Sequence, residues 1–254
     1  MSATFAIAKR TIYKFMRTPQ LIVVGTIQGA MFLLIFRYVF GGAIDGGSVS
    51  YVDFLVPGFI TTTVLFAGTS ASAGVAEDVE QGFLDRLRSL PIPRGSVLAG
   101  RALGETVLLA WMLAVTTAIG FAVGFRLHGS IGQALGAFAL CLVFGFAFSW
   151  LFVLLGLVAG NAQAAQGMSL LVFPLVFVSS AYVRTDTMPG WMSWIAEHQP
   201  ITAMVDAVRS LTLGDRSVAV LGHPTGHYLL PALVWSAVLV AAFAPVAIVR
   251  YARG

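Results

Sequence analysis

The chain has 254 residues, of which 58% are hydrophobic and 10% charged, and its mean hydropathy is +0.88. Soluble domains contain about 45–50% apolar and about 25% charged residues, so this composition excludes an ordinary soluble fold. The net charge of +4 comes from Lys and Arg residues beside the apolar blocks, which indicates membrane orientation and not nucleic-acid binding. We therefore expect an all-α membrane protein.

Residues 1–19 predict an amphipathic helix that lies on the membrane surface. Its apolar residues share one helical face, and Lys9, Arg10, Lys14 and Arg17 fall largely on the other. A basic face opposite an apolar face is typical of helices on anionic lipid. A signal peptide fits poorly, because the charged region is long and a full-length apolar block follows it.

The apolar blocks are about 20 residues long, the length that crosses a hydrocarbon layer about 30 Å thick. They predict six spans, at residues 21–40, 51–76, 101–124, 131–159, 164–182 and 228–249. With the N-terminus inside, ten Lys and Arg residues fall on the cytoplasmic side and five outside. This bias predicts a multi-pass protein of the bacterial plasma membrane with both termini in the cytoplasm.

Glycine pairs four residues apart recur in these spans, a spacing that lets helices approach closely in lipid. The pairs are Gly25/Gly29, Gly100/Gly104, Gly120/Gly124, Gly132/Gly136 and Gly156/Gly160. A high glycine content explains any single pair equally well, but five pairs favour a tightly packed bundle.

Residues 77–94, between spans 2 and 3, hold seven charges in an otherwise apolar chain. Val79, Phe83, Leu87 and Leu90 recur at helical spacing. The acidic residues Glu77, Asp78 and Glu80 come first and the basic residues Arg86 and Arg88 last, as the helix dipole favours. The pattern predicts a short amphipathic helix whose apolar face suits a groove on a protein. A helix that merely joins two spans remains an alternative, although mixed charges are unusual for a lipid-seeking helix.

Residues 183–227, before span 6, contain three prolines and the pair Trp191 and Trp194. A segment that is broken by proline, half apolar and rich in Trp is typical of the membrane interface. We expect short re-entrant or interfacial helices on the outer side.

The sequence assigns no residue to catalysis, to a cofactor or to a metal. A phosphate-binding loop needs lysine after glycine, and lysine occurs only as Lys9 and Lys14. The charged residues in the spans avoid mid-depth: Arg101 and Glu105 are one turn apart and predict an ion pair, and Arg37 could pair with Asp53. If the protein is a transporter, its energy would therefore come from another subunit.

Two stretches resemble the type-2 ABC exporter permeases, and in particular their daunorubicin-resistance-like branch. One is Arg86-Leu-Arg-Ser-Leu-Pro-Ile-Pro-Arg94 followed by Gly100-Arg101, and the other is Phe173-Pro-Leu-Val-Phe-Val-Ser-Ser180 followed by Met188-Pro-Gly-Trp191. The chain departs from that pattern at Gln199, where the family often has Asn before Pro.

The resemblance implies that the whole chain, 1–254, is one permease domain that pairs with a second permease, and that a separate subunit binds ATP and Mg beneath each. The 77–94 loop would contain the coupling helix that docks on this ATPase. Its docking residues would be Glu77, Asp78, Val79, Glu80, Phe83, Leu84, Arg86, Leu87, Arg88 and Leu90.

A hydrophobic or amphipathic cargo, such as a drug or a lipid, would then move outward along spans 2 and 5, where prolines mark bends. The residues implied for this path are Pro57, Phe59, Phe66, Phe173, Pro174 and Phe177. Two alternatives remain open. One is a secondary transporter or channel that works without an ATPase, and the other is a membrane enzyme or scaffold, which the lack of a catalytic grouping disfavours.

Overall fold

The computed structural model describes residues 3–17, 27, 29–41 and 49–253, and these ranges are helical without any strand. The helices are α1 (Ala3–Met16), α2 (Gly29–Val39), α3 (Tyr51–Glu80), α4 (Phe83–Arg88), α5 (Arg94–Ala122), α6 (Ile131–Val158), α7 (Ala162–Ser169), α8 (Phe173–Phe177), α9 (Gly190–Glu197), α10 (Pro200–Leu213), α11 (Ser217–Leu221) and α12 (Thr225–Arg253). The all-α prediction is confirmed for the described residues.

Four helices, α3, α5, α6 and α12, are long and apolar enough to cross a membrane. They match four of the six predicted spans. Helix α2 covers part of the predicted span 21–40, of which residues 21–26 and 28 lie outside the described ranges. The six-span count therefore stays a prediction.

The predicted span 164–182 is a broken and shorter helix. Helix α7 ends at Ser169, a 3-10 turn covers Leu170–Val172, and α8 then ends at Phe177. Pro174 lies in the first turn of α8, where its missing N–H costs least. Pro57, in contrast, lies inside the continuous helix α3.

Helix α3 is the centre of the bundle, buried along most of its length and packed on α5, α6, α7 and α10. Near its N-terminus, Asp53 accepts a hydrogen bond from the Arg126 backbone N–H at 3.0 Å, and its Oδ2 lies 3.1 Å from His128 Nε2. No ion pair joins Asp53 to Arg37, whose guanidinium lies over the Tyr38 ring. The suggested Arg37–Asp53 pair was therefore wrong, because the loop before α6 supplies the partners.

Short helices occupy the predicted re-entrant region 183–227, and α10 is buried among α3, α6 and α12. The Arg209 side chain on α10 is fully buried and donates to the carbonyls of Phe54 at 3.1 Å and Ser180 at 2.8 Å. It also pairs with Asp206 at 3.0 Å. One side chain therefore joins α10 to α3 and to the turn that follows α8.

Only some glycine pairs are packing sites. A Cβ on Gly100 would lie 2.5 Å from the Thr4 carbonyl oxygen, and one on Gly104 would lie 2.7 Å from Thr11 Cβ, so α1 packs closely on α5 here. At Gly132 the nearest such atom is 3.8 Å away, in ordinary contact. The Gly100/Gly104 pair confirms close packing, and its partner is the N-terminal helix.

Candidate functional site

The predicted amphipathic helix of the 77–94 loop is divided in two. Helix α3 continues to Glu80, the chain turns at Gly82, and α4 covers only Phe83–Arg88. Gly82 has φ 66°, a left-handed conformation that costs a residue with a Cβ about 1 kcal/mol or more. The continuous helix expected from the sequence is therefore corrected to a break followed by one and a half turns.

The apolar stripe of that loop packs mostly within the chain. Leu84 is buried, and Val79, Phe83 and Leu87 are partly buried against a cluster that includes Ile7 and Tyr251. We call this region, with the adjoining ends of α3, α5, α6 and α12, the α4 end. Of the residues implied for docking, Glu80, Arg86 and Leu90 are exposed.

Helix α4 is held by both the first and the last helix of the described chain. The Arg10 guanidinium of α1 lies 3.6 Å from the centre of the Phe83 ring. From α12, the Tyr251 hydroxyl donates to the Leu84 carbonyl at 3.2 Å, and Arg88 lies over the Tyr251 ring. These contacts fix the orientation of α4 relative to the bundle.

Asp78, one of the implied docking residues, is instead the centre of a buried ionic cluster. Its carboxylate, 2% exposed, accepts two hydrogen bonds from Arg10 and one from Arg101, and Lys14 lies 3.5 Å away. Glu77 pairs with Lys14 at 2.8 Å. Such a carboxylate links α1, α3 and α5 within the chain and is not available to a partner.

The predicted Arg101–Glu105 pair is confirmed, with Arg101 Nε 3.0 Å from Glu105 Oε1. Together, Arg10, Lys14, Glu77, Asp78, Arg101 and Glu105 form what we call the Asp78 network. It has three basic and three acidic members, so its formal charges cancel. Pairing of this kind offsets the cost of removing charged groups from water.

A cavity of about 300 Å³ opens between α2, α3, α5, α6 and the α7–α8 segment. Its walls are mainly apolar, and its phenylalanines are in mutual contact: the ring of Phe66 lies 4.8 Å from that of Phe173, edge to face, and 6.3 Å from that of Phe32. We call it the Phe66 cavity. Its size and apolar, aromatic lining are typical of small-molecule sites.

Three of the six residues implied for the substrate path, Phe59, Phe66 and Phe173, line this cavity. The other three, Pro57, Pro174 and Phe177, do not, and Phe177 is 57% exposed. The structure therefore brings together the aromatic residues of spans 2 and 5 that face each other.

The sequence did not reveal that α5 and α6 contribute to the cavity. Several α5 residues line it from one helical face, namely Glu105, Leu108, Leu109, Met112, Val115, Thr116 and Ile119. Their spacing of three and four residues was visible in the sequence, and Glu105 and Thr116 mark this face as more polar than the rest of the span. The sequence indicated Glu105 only as a partner of Arg101 and therefore did not predict that it lines the cavity.

Comparison with known proteins gives a consistent result. The model of the family described as "ABC-2 type transporter" matches residues 2–213. The chain is 33% identical to the daunorubicin resistance ABC transporter permease protein DrrB1 of Streptomyces coeruleorubidus over 252 residues, which cover 99% of this chain and 86% of the relative.

Two other relatives are more distant. The probable doxorubicin resistance ABC transporter permease protein DrrC of Mycobacterium tuberculosis is 25% identical over 220 residues, covering 84% of this chain and 76% of the relative. The probable multidrug ABC transporter permease YbhR of Escherichia coli is 26% identical over 179 residues, covering 68% of this chain and 47% of the relative.

Proposed function

Because the chain belongs to the ABC-2 type transporter family, we propose that it is the permease subunit of an ATP-driven exporter for hydrophobic or amphipathic compounds. The names of its relatives concern resistance to daunorubicin and doxorubicin or multidrug transport, which favours a drug-like cargo. In this proposal the chain lies in a bacterial plasma membrane with the α4 end in the cytoplasm and pairs with a second permease.

The observation that carries the proposal is the Phe66 cavity. A volume of about 300 Å³ with aromatic walls can bury a small apolar compound or part of a larger one. Phe59 and Phe66 line it from α3, the most buried of the four long helices, and Phe173 from the broken α7–α8 segment. A break in a helix that lines a cavity supplies a point at which the wall can rearrange during transport.

Energy would come from a separate ATP-binding subunit that holds ATP and Mg and docks at the α4 end. Val79, Phe83 and Leu87 pack against the rest of the chain. The docking surface is therefore the end of α3, the outer side of α4 and the turn after it, with Glu80, Arg86 and the 51%-exposed Leu90. This surface places a large apolar side chain beside an arginine, a residue type enriched at protein interfaces, and a glutamate that suits a polar rim.

Docking is tested by co-purification with the proposed ATP-binding subunit. Leu90→Asp and Arg86→Glu should each abolish the association, because they place a charge or reverse one on the exposed surface. Arg216→Glu is the matched control: it reverses an exposed arginine beside α11 and should co-purify fully. Undiminished co-purification of both α4 variants would contradict docking at this surface.

Transport is tested in proteoliposomes that contain the chain with its ATP-binding subunit. We expect ATP to drive movement of a hydrophobic fluorescent dye, and a catalytically inactive ATPase to stop it. Transport that an ion gradient drives in the absence of the ATPase would instead establish a secondary transporter.

A further inference from the structure

Glu105 is the one charged residue among the described residues that line the Phe66 cavity. Its side chain is 14% exposed and lies on the α5 face that carries Met112 and Thr116 into the same cavity. The basic members of the Asp78 network do not line the cavity. A molecule inside therefore meets a carboxylate and no cationic side chain from the described part of the chain.

Four of the six hydroxyl side chains among the described residues of the cavity reinforce this preference. Those of Thr63, Thr69, Thr106 and Ser149 each donate a hydrogen bond to a carbonyl of their own helix, at 2.7–3.0 Å. With their protons used in this way, the hydroxyl oxygens can only accept further hydrogen bonds. These cavity walls thus offer acceptors, which suit a ligand that donates hydrogen bonds or carries positive charge.

The partner of Glu105, Arg101, has a second anionic partner. Arg101 donates from Nη1 to the buried carboxylate of Asp78 and from Nε to Glu105 Oε1. If a cation shared or replaced the second contact, Arg101 would keep the first. Glu105 can therefore interact with a ligand without leaving a buried guanidinium unpaired, which would be costly.

The aromatic lining adds a second attraction of the same sign. The rings of Phe32, Phe66 and Phe173 lie in the same cavity as the carboxylate. The face of an aromatic ring attracts cations, by about 0.5–1 kcal/mol at exposed sites and more where water is excluded.

We propose that Glu105 is the specificity-determining residue of the Phe66 cavity and selects positively charged hydrophobic compounds over neutral ones of similar shape. This inference rests on the proposed function, since it names the class of substrate for the same cavity.

The test measures equilibrium binding to the purified chain in lipid nanodiscs with two probes, the cation tetraphenylphosphonium and the neutral triphenylphosphine oxide. Glu105→Gln keeps the side-chain shape and should weaken cation binding about tenfold or more, which is about 1.4 kcal/mol, while neutral binding stays unchanged. Glu77→Gln is the matched control, because it removes a carboxylate of the same network outside the cavity, and it should bind both probes like the unaltered chain. Glu105→Asp should recover part of the lost cation affinity.

Equal cation affinity in the unaltered chain and in Glu105→Gln would overturn the proposal. So would an equal loss for both probes, which would reveal a structural role, or the failure of the unaltered chain to bind either. Transport separates this proposal from the proposed function. If Glu105→Gln exports the cation as fast as the unaltered chain does, the proposed selectivity is refuted and the exporter is not. If cation binding depends on Glu105 but ATP drives no export, the exporter is refuted and the selectivity is supported.

Discussion

Arg10 donates two hydrogen bonds to the carboxylate of Asp78, at 3.0 and 3.3 Å, although 68 residues separate them. This bidentate contact fastens α1 to the end of α3. Because α1 is also wedged against Gly100 and Gly104 of α5, the first helix of the described chain is an integral part of the bundle. Helix α1 is held by the ion pair with Asp78 and by close packing on α5, and a separate substitution can remove each contact.

Asp78→Asn should destabilise the protein by about 3–5 kcal/mol, because it removes the buried anion that the partly exposed Arg10 and the buried Arg101 share. Thermal unfolding of the purified chain in detergent, with and without the substitution, measures the change. Glu77→Gln, whose Lys14 pair is half exposed, should cost less than about 1 kcal/mol. Equal unfolding temperatures for the Asp78 variant and the unaltered chain would contradict the network.

Gly104→Val should displace α1 from α5, because a Cβ at this position would lie 2.7 Å from Thr11 Cβ. We expect faster proteolysis within α1 under conditions that leave the remaining helices intact. The same substitution at Gly132 should have no such effect, since a Cβ added there would make only an ordinary contact. Equal proteolysis of the two variants would show that the close approach of α1 is not needed.

Arg209→Lys should lower stability by about 2–4 kcal/mol although it keeps the charge. An ammonium group cannot reach the Phe54 and Ser180 carbonyls and the Asp206 carboxylate in the planar arrangement that guanidinium provides. Unfolding in detergent again gives the measurement. Arg184→Lys, at an exposed pair with Asp186, should change stability by less than about 1 kcal/mol, and a larger cost there would call the explanation into question.

Met112→Trp should block transport by filling the Phe66 cavity while the chain still assembles with its ATPase. The control is Val107→Trp on the outer face of α5, where the side chain is 52% exposed and does not line the cavity. Dye export by proteoliposomes distinguishes the two. Unimpaired export by the Met112 variant would mean that cargo takes another route.

Much of the fold was predictable because the forces that set it are local to each segment. The length of the apolar blocks predicted the long helices α3, α5, α6 and α12. A spacing of one helical turn predicted the Arg101–Glu105 pair. Neither inference requires knowledge of which helices become neighbours. Phe59, Phe66 and Phe173, which the family resemblance implied for the substrate path, line one cavity, and their role in transport stays a prediction.

The errors arose where distant segments meet. Periodicity showed that Val79, Phe83 and Leu87 share a face, but it could not show that α1, α5 and α12 already cover part of it. Asp78 looked like a surface charge because the three cations around it come from α1 and α5. The left-handed turn at Gly82 depends on where α4 packs, so the 77–94 segment alone did not predict it.

The hydrogen bond from Tyr251 to the Leu84 carbonyl spans 167 residues of sequence. A ribosome adds about 5–20 residues per second, so several seconds pass between the synthesis of α4 and that of its last packing partner. Until α12 has been made, α4 lacks the ring and the hydroxyl that help to hold it in place. The proposed contact for the ATPase is therefore completed only after α12 has been made, and assembly with the ATPase can select for chains that already contain this helix.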